Sequence, residues 1–217
     1  MTAPNQQTLL ILFLPQEWKN YHRRPHWEEM ARHSKILIVE PPAGILTGWL
    51  RPKRLINYFI RDRKIRGSGH NIRFFRAIQL ASPGLDFMLP FLSGLDRIWM
   101  RRQLKRVLKV IKGEFDIPFS FISQVQQQHF SNLIPEIVQC YEIFDLYVIP
   151  YGHQRLDENH WYTKRARRYD KKISLDSEIV VTSSKLIFDE LGTKKKNVYY
   201  LHNAADFNHF SKSAEEK

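Results

Sequence analysis

Seven short runs of apolar and β-branched residues, separated by stretches with helical spacing, constrain the fold of this chain most strongly. Strands that alternate with helices are typical of βαβ units, whose strands pair in a parallel sheet. Several runs are apolar throughout, as expected where helices cover both faces of the sheet. The sequence therefore predicts an α/β fold with a Rossmann-like, doubly wound parallel sheet. The predicted strands are 8–14, 35–40, 71–78, 118–123, 137–144, 178–183 and 197–201.

Two short helices are predicted from their terminal residues. Pro25 is suited to a first helical turn, and the segment HWEEMARH (26–33) follows it. The segment 184–191 (SKLIFDEL) predicts a second helix, which Gly192 is expected to end as a C-terminal glycine.

Length and composition favour one cytoplasmic domain. The chain has 217 residues, of which 43% are hydrophobic, so it can bury a substantial core. Its single cysteine, Cys140, has no partner for an internal disulfide, and clustered Cys and His ligands are absent, so no metal site is predicted. No run approaches about 20 apolar residues, so membrane contact is expected to be peripheral.

The charge of the chain predicts an anionic partner. The formal net charge is +12, and the cations concentrate in three clusters, 51–66, 97–112 and 164–172. Nucleic acid, acidic lipid headgroups and phosphorylated substrates all suit such a surface.

The cluster 97–112 has the pattern of an amphipathic helix with one cationic face. Met100, Leu104, Val107, Leu108 and Ile111 lie within one 100° arc of a helical wheel. Two interpretations stay open: a solvated basic face above a packed apolar stripe, or a surface that lies against anionic lipid. The predicted membrane-facing residues are Arg101, Arg102, Lys105, Arg106 and Lys109.

Segment 177–210 resembles the end of the N-terminal domain in group-one, retaining-type glycosyltransferases of the GT-B fold. That pattern reads D-x-V-x-x-x-S-x-x-L, a helix, and then V-x-x-[LI]-x-N-G-V-D-x-x-x-F. Ala204 and Ala205 depart from it, standing where the family has glycine and valine. The matching residues are Val180, Ser183 or Ser184, Leu186, Val198, Leu201, Asn203, Asp206 and Phe210.

Two upstream segments resemble a bacterial polysaccharide subgroup of the same family. Segment 17–42 is similar to its opening, in which W…RPHHLA and a helix precede V-x-Y-V-E-P-P. Segment 138–147 is similar to its Y-D-x-x-D motif. The similarity thus covers nearly the whole chain in the family's order.

The resemblance implies that residues 1–210 form the acceptor-binding half of a glycosyltransferase, with 211–217 as a tail or the start of a linker. Such an enzyme transfers a sugar from a nucleotide sugar to a saccharide or lipid-linked acceptor in cell-envelope polysaccharide synthesis. The nucleotide sugar is then expected on a C-terminal GT-B domain, in cis or in trans, and no cofactor in this chain. The isolated chain is expected to be inactive and cytoplasmic, at the inner face of the cell membrane if peripheral.

Candidate acceptor-binding residues follow the first strand, because ligands of open parallel sheets bind beyond the carboxyl ends of the strands. Glu17, Trp18, Arg23 and Arg24 stand there. They combine an aromatic ring that can stack on a sugar with guanidinium groups suited to phosphate or carboxylate. The alternative is a surface loop with one packed tryptophan.

Candidate catalytic residues follow the fifth strand. Asp145 stands where the fold family commonly has a polar residue near the reacting sugar, and His153 is an alternative base. An Asp at a strand end can instead serve as a cap. Ser183 and Asn203, after the sixth and seventh strands, complete the predicted acceptor site, whereas Ser184 is better placed to cap the following helix.

Two other functions stay open: a basic nucleic-acid-binding module, and a non-catalytic scaffold that recruits a partner. Recognisable nucleic-acid-binding motifs are absent, which argues against the nucleic-acid-binding module. The motifs GxGxxG, GK[ST], HExxH and GxSxG are also absent, which argues against a self-contained dehydrogenase, NTPase, zinc protease or serine hydrolase. Aromatic residues among or beside the cations favour the nucleic-acid module: Tyr58, Phe59, Trp99, Trp161, Tyr162 and Tyr169.

Overall fold

The structure is a computed structural model of the chain. It describes residues 8–14, 16–21, 23–49, 56, 65–68, 71–81, 89–111, 118–143, 159–193 and 195–201.

One sheet organises the described residues, and it confirms the predicted fold class. Its strands are β1 Leu9–Phe13, β2 Lys35–Gly44, β3 Arg66–Ser68, β4 Ile72–Gln79, β5 Pro118–Ile122, β6 Val138–Ile143, β7 Ile179–Thr182 and β8 Val198–Tyr200. Their order in the sheet is β3-β4-β2-β1-β5-β6-β7-β8, and every adjacent pair except β3 with β4 is parallel. Each predicted strand corresponds to an observed parallel strand, with boundaries that differ by a few residues.

Strand β3 is a correction to the sequence analysis, which predicted no strand there. It pairs antiparallel with β4, Gly67 opposite Arg73, and forms one edge of the sheet. Its three residues carry no apolar pattern. Pairing with the exposed edge of β4 therefore decides its conformation, which a local pattern cannot reveal. The rest of the cluster 51–66 lies outside the described residues, except Ile56 and Ile65.

Helices cover both faces of the sheet. They are α1 Arg24–Met30, α2 Ile45–Trp49, α3 Pro90–Ile111, α4 Trp161–Asp176 and α5 Lys185–Gly192, with 3-10 turns at Trp18–Asn20 and Val125–Phe130. In β1, Leu10 and Leu12 pack with Trp27 of α1, whereas Ile11 and Phe13 belong to the core that includes α3, α4 and α5. This alternation places α1 on one face and α3, α4 and α5 on the opposite face.

Helix α3 confirms the predicted amphipathic pattern. Met100, Leu104, Val107 and Ile111 are buried, and Leu108 packs partly buried against the same core. Asp96, also buried, accepts hydrogen bonds from the backbone N–H groups of Leu80 and Ala81, the latter at 3.0 Å. The start of α3 is thereby tied to the end of β4.

Helix α5 confirms the capping role of Ser184. Its hydroxyl oxygen accepts a hydrogen bond from the backbone N–H of Ile187 at 3.5 Å. The predicted role of Gly192 is wrong, because this glycine is the last helical residue and the C-cap is Thr193, whose φ of −70° is right-handed. The helix therefore ends without a left-handed glycine.

Helix α4 contains the basic cluster 164–172, for which the sequence analysis predicted a positive charge but no helix. His160 caps it, accepting a hydrogen bond from the backbone N–H of Tyr162 at 3.3 Å. The buried face includes Ala166 and Ile173. Since most of the remaining side chains are basic or polar, the apolar stripe is too narrow to stand out in the sequence.

Among the described residues, no helix is both long and apolar enough to span a membrane.

Candidate functional site

The candidate site lies where the strand order reverses. The chain builds the sheet outward from β1 through β2 and β4, then returns to the other side of β1 with β5. Such a switch point leaves a crevice at the carboxyl ends of the two central strands, where ligands of open α/β sheets bind. The described residues that follow β1 (14, 16–21 and 23) and the turn after β5 (residues 123–130) border this crevice.

Gln127 joins the two sides of the crevice. Its side-chain oxygen accepts hydrogen bonds from the backbone N–H groups of Ser123 and Gln124, both at 3.1 Å. Its amide nitrogen donates to the carbonyl of Phe13, the last residue of β1, at 2.8 Å. Because Gln127 is buried and these three bonds satisfy its amide, the floor of the crevice is held in a defined shape.

Four side chains meet at the strand ends on the α1 side of the sheet, and we call them the strand-end cluster: Tyr21, Arg23, Ser123 and Glu142. Arg23 donates from Nη1 to Oε2 of Glu142 at 2.8 Å, joining the β1 loop to the end of β6. Tyr21 lies near both charges and hydrogen-bonds Ser123 and Trp27. The cluster therefore brings together groups from the ends of three parallel strands.

Partial burial shapes the protonation of the cluster. Burial raises the pKa of Glu142, and the hydrogen bond and charge of Arg23 together with the charge of His26 oppose this. Burial likewise raises the pKa of Tyr21. The Glu142 side chain is 22% exposed, so solvent or a ligand can reach it. A carboxylate beside a guanidinium in this setting can accept a hydrogen bond from a sugar hydroxyl while the guanidinium donates one.

A second group lies farther along the same edge, and we call it the Arg76 cleft. Arg76 of β4 donates to Glu40 of β2 at 3.0 Å, and Glu17 lies 3.9 Å from the same guanidinium nitrogen. Glu40 and Arg76 are direct partners in the parallel pairing of β2 with β4. The cleft has a volume of about 450 Å³ and is lined by Glu17, Trp18, Lys19, Glu40, Gly67, Phe74 and Arg76.

Two predicted acceptor-binding residues lie in the Arg76 cleft, Glu17 and Trp18. Trp18 is only 8% exposed and packs against Phe74 and Tyr21, with ring centroids 5.9 and 6.2 Å away. A ligand can therefore reach only the part of the indole that lines the cleft. Glu17 is exposed and also pairs with Lys19 at 3.1 Å.

Arg23 and Arg24, adjacent in sequence, have different surroundings. Arg23 reaches Glu142 across the sheet, whereas Arg24 begins α1 and pairs with Glu28 one turn later at 2.6 Å. Ser183 follows β7 and is half-buried. The structure thus places Arg23, rather than Arg24, in the crevice.

The other predicted site residues, Asp145, His153 and Asn203, lie outside the described residues.

The sequence analysis missed Tyr21, Glu40, Arg76, Ser123 and Glu142. Three of them are charged residues inside strands that helices and loops cover, such as Glu40 in KILIVE and Glu142 in VQCYEI. A buried charge requires a partner, so charged residues inside an apolar strand were a usable signal. Pairing between strands distant in sequence, which supplies those partners, was not visible.

Two other chemistries find no support in the described part of the chain. No group of three His, Cys, Asp or Glu side chains there is arranged to hold a metal ion. Cys140 is buried, and burial raises the pKa of its thiol to about 12, so it is not poised as a nucleophile.

Neither a family model nor a curated protein matches the sequence. Among solved structures, the chain is similar to Medicago truncatula UGT71G1 complexed with UDP-glucose, at 9% identity and a TM-score of 0.50. That match covers 93% of this chain and 52% of the other. A UDP-glucosyltransferase from Polygonum tinctorium, in complex with 3,4-dichloroaniline, gives 11% identity and a TM-score of 0.49, over 95% and 54%.

The dTDP-glucose 4,6-dehydratase of Bacillus anthracis, in complex with NAD, is more distant, at 12% identity and a TM-score of 0.38 over 81% and 54%. The described residues thus form a Rossmann-like α/β unit, and the match to UGT71G1 is a similarity of fold. The chain spans about half the length of the glycosyltransferase structures that it matches.

Proposed function

We propose that this chain is the acceptor-side half of a GT-B glycosyltransferase, which binds a saccharide or lipid-linked acceptor at the switch-point crevice. The single observation that carries the proposal is the strand-end cluster, an accessible carboxylate–guanidinium pair at the ligand-binding edge of a glycosyltransferase-like sheet. In the proposed enzyme a nucleotide sugar occupies a second domain, in cis or in trans, and the acceptor hydroxyl is presented to it across the crevice.

The residues of the cluster suit a polyhydroxylated ligand. Glu142 accepts hydrogen bonds from hydroxyl groups, and Arg23 donates them to hydroxyl, phosphate or carboxylate oxygens. Tyr21 and Ser123 add hydroxyl groups close by. Asp145, three positions beyond Glu142, and His153 stay the predicted catalytic residues, as base or as carboxylate beside the reacting sugar.

We also propose that α3 lies against an anionic membrane surface. Phe91, Leu95 and Ile98 recur at helical spacing and are exposed, Phe91 by 71%. Arg102 and Arg106 continue the same exposed side of the helix. An apolar stripe flanked by cations is the pattern of a helix that rests in the headgroup region of acidic lipid.

The position of α3 links this surface to a lipid-linked acceptor. The helix begins after the carboxyl end of β4, so its exposed apolar turns lie at the same edge of the sheet as the crevice. Arg101, Arg102, Arg106 and Lys109 are exposed, and Lys105 pairs with Glu136 at 3.3 Å. Four of the five predicted membrane-facing cations are therefore available to headgroups.

A saccharide-binding measurement tests the acceptor site. The purified chain is applied to an array of bacterial saccharides, and the tightest ligand is titrated by calorimetry against the chain and its Glu142→Gln variant. We expect the variant to bind about tenfold more weakly, because the amide has one accepting oxygen instead of two and lacks the negative charge that strengthens hydrogen bonds from hydroxyl groups.

Glu28→Gln is the matched control, since it also breaks an Arg–Glu pair by the same substitution, on the exposed side of α1. Its affinity should stay within about twofold of the wild type. Equal weakening by both variants, or no saccharide bound, would contradict the acceptor proposal. Sugar transfer by the isolated chain from any nucleotide sugar would contradict the claim that it is half of an enzyme.

Vesicle co-sedimentation tests the membrane surface. Binding to phosphatidylglycerol vesicles should fall about tenfold in a Phe91→Ser/Leu95→Ser variant, which loses two large apolar side chains. Leu175→Ser/Leu186→Ser, which removes two exposed leucines from α4 and α5, should bind like the wild type. Equal binding of the wild type to phosphatidylglycerol and phosphatidylcholine vesicles would exclude an anionic lipid surface as the partner.

A further inference from the structure

A second open pocket lies on the α3 and α4 face of the sheet, and we call it the α4 pocket. It has a volume of about 560 Å³ and opens between the start of α3, the turn after β5 and one side of α4. Its lining residues are Ser93, Gln128, Trp161, Lys164, Arg165, Arg168, Tyr169 and Lys172. Half of these are cations, and none of the described lining residues is acidic.

Helical spacing aligns the cations. Lys164, Arg168 and Lys172 stand four residues apart, so they form a row about 12 Å long on one side of α4. Arg165, the neighbour of Lys164 in sequence, lies beside this row and also lines the pocket. Like charges at this spacing repel one another, so the arrangement costs stability unless an anion is present.

No described residue forms an ion pair with Lys164, Arg168 or Lys172, whose side chains are exposed. Some other exposed cations of the described residues do pair with acids, as in Lys185–Asp189 and Arg32–Glu29.

The two acids nearest in the helix are used elsewhere. Asp170 of α4 accepts a hydrogen bond from the hydroxyl of Tyr141 at 2.6 Å, on the buried side of the helix. Asp176 accepts one from the hydroxyl of Ser131 at 3.3 Å. Neither carboxylate lines the pocket, so the lining that the structure describes carries only positive charge.

The remaining lining residues suit a ligand that has a ring or polar groups in addition to its negative charge. Trp161 is half exposed, and the Arg165 guanidinium lies 5.6 Å from its ring centroid. An exposed indole edge beside cations can pack against a sugar or base. Gln128 and Ser93 place an amide and a hydroxyl at the pocket wall, which can hydrogen-bond ligand oxygens.

From these features we infer that the α4 pocket binds a ligand with a phosphate or diphosphate group, contacted by Lys164, Arg168 and Lys172. The phosphate belongs either to a free phosphorylated sugar or nucleotide, or to a lipid headgroup. The inference does not depend on the proposed acceptor function, because Tyr141 faces α4 whereas Glu142, the next residue, faces the strand-end cluster on the other side of the sheet.

Calorimetric titration with inorganic pyrophosphate tests the pocket at about 150 mM salt, where nonspecific surface attraction is screened. The decisive comparison uses two double variants with the same change in net charge on the same helix. Arg168→Gln/Lys172→Gln removes two pocket cations, whereas Arg167→Gln/Lys171→Gln removes the neighbouring exposed cations that do not line it. We expect the Kd to rise about tenfold or more in the first variant and less than about twofold in the second.

Two further arms identify where the phosphate comes from. Uridine and adenosine diphosphates are titrated in the same way, and vesicles with phosphatidic acid are compared with phosphatidylcholine vesicles. Tighter binding of a nucleoside diphosphate than of pyrophosphate, lost in the pocket variant, indicates a free ligand. If the wild type and the control variant sediment with phosphatidic acid vesicles and the pocket variant does not, the phosphate belongs to a lipid headgroup.

Equal weakening in the two double variants would overturn the inference, because general surface charge would then explain the binding. Failure of pyrophosphate, both nucleoside diphosphates and the phosphatidic acid vesicles to bind the wild-type chain would also overturn it. Circular dichroism spectra that match the wild type show that a loss of binding does not come from unfolding.

Discussion

Tyr141 shows what one partnered polar side chain does in the interior of this protein. Its ring is fully buried, and its hydroxyl donates to Oδ1 of Asp170 at 2.6 Å, joining β6 to α4. Burial raises the pKa of Asp170, and this hydrogen bond counteracts the shift. The bond thus compensates a carboxyl group that folding removes from water.

Replacing Tyr141 by Phe should destabilise the fold by about 1–3 kcal/mol, because a partly buried acceptor loses its donor while the packing stays nearly the same. Urea denaturation at pH 7 measures the change. Tyr199→Phe, which alters an exposed tyrosine of β8, is the control and should shift the free energy of unfolding by less than about 0.5 kcal/mol. Equal unfolding midpoints for wild type and Tyr141→Phe would refute this role.

At the scale of the elements, α3 contains a glycine that its geometry does not require. Gly94 lies in the helix with a right-handed backbone, and an added Cβ there would meet no atom within 4 Å. Gly192 at the end of α5 has the same open surroundings. In both places glycine only adds conformational freedom to the unfolded chain.

Gly94→Ala should therefore stabilise the protein by about 0.5–1 kcal/mol, and Gly192→Ala by a similar or smaller amount. Thermal unfolding followed by circular dichroism at 222 nm provides the measurement. A lower melting temperature for Gly94→Ala would show that the turn around residue 94 needs glycine after all.

For the whole molecule, His129 couples the stability of the fold to pH. It is buried in the turn after β5, where burial chiefly lowers its pKa from an ordinary 6.5 to about 4, with the Arg97 charge adding to the decrease. The unfolded chain therefore binds a proton between these values that the folded chain excludes. Stability contributed by neutral His129 is complete above pH 6.5 and is lost as the pH falls towards 4.

The expected loss of unfolding free energy is about 3 kcal/mol as the pH falls from 6.5 to 4. Unfolding free energies are compared at several pH values for the wild type, His129→Gln and the exposed control His33→Gln. Burial raises the pKa values of Glu142 and Asp170, so these two carboxyl groups stabilise the fold as the pH falls and oppose the effect of His129. The decisive quantity is therefore the difference in pH dependence between the wild type and His129→Gln. The wild type and His33→Gln should share a steeper slope than His129→Gln, and three equal slopes would contradict the prediction.

Much of the fold was predictable because its signals are local. The apolar runs that became β1, β2 and β4 to β8 are short and separated by helical or polar segments, so their pattern is visible without the tertiary structure. The apolar arc of α3 and the cap at Ser184 were equally readable. Strand β3 was not, because its conformation comes from pairing with the edge of β4.

The candidate site was only partly predictable. The rule that ligands bind beyond the strand ends selected Glu17, Trp18 and Arg23, since each follows β1 directly in sequence. It did not distinguish Arg23 from Arg24, because the two neighbours differ only in the direction of their side chains. Tyr21 and Glu142 were missed for a related reason, since each gains its partner from a different part of the chain.

The sequence by itself determined the class of the fold, because hydrophobic periodicity specifies which segments become strands and helices and which faces they bury. It also determined that the surface is cationic. Only the tertiary structure decided which charges are paired and which face a pocket. Arg23 reaches Glu142 across 119 positions of sequence, while the row on α4 has no described acid opposite it. Such pairing depends on strand order and helix orientation, which local composition does not encode.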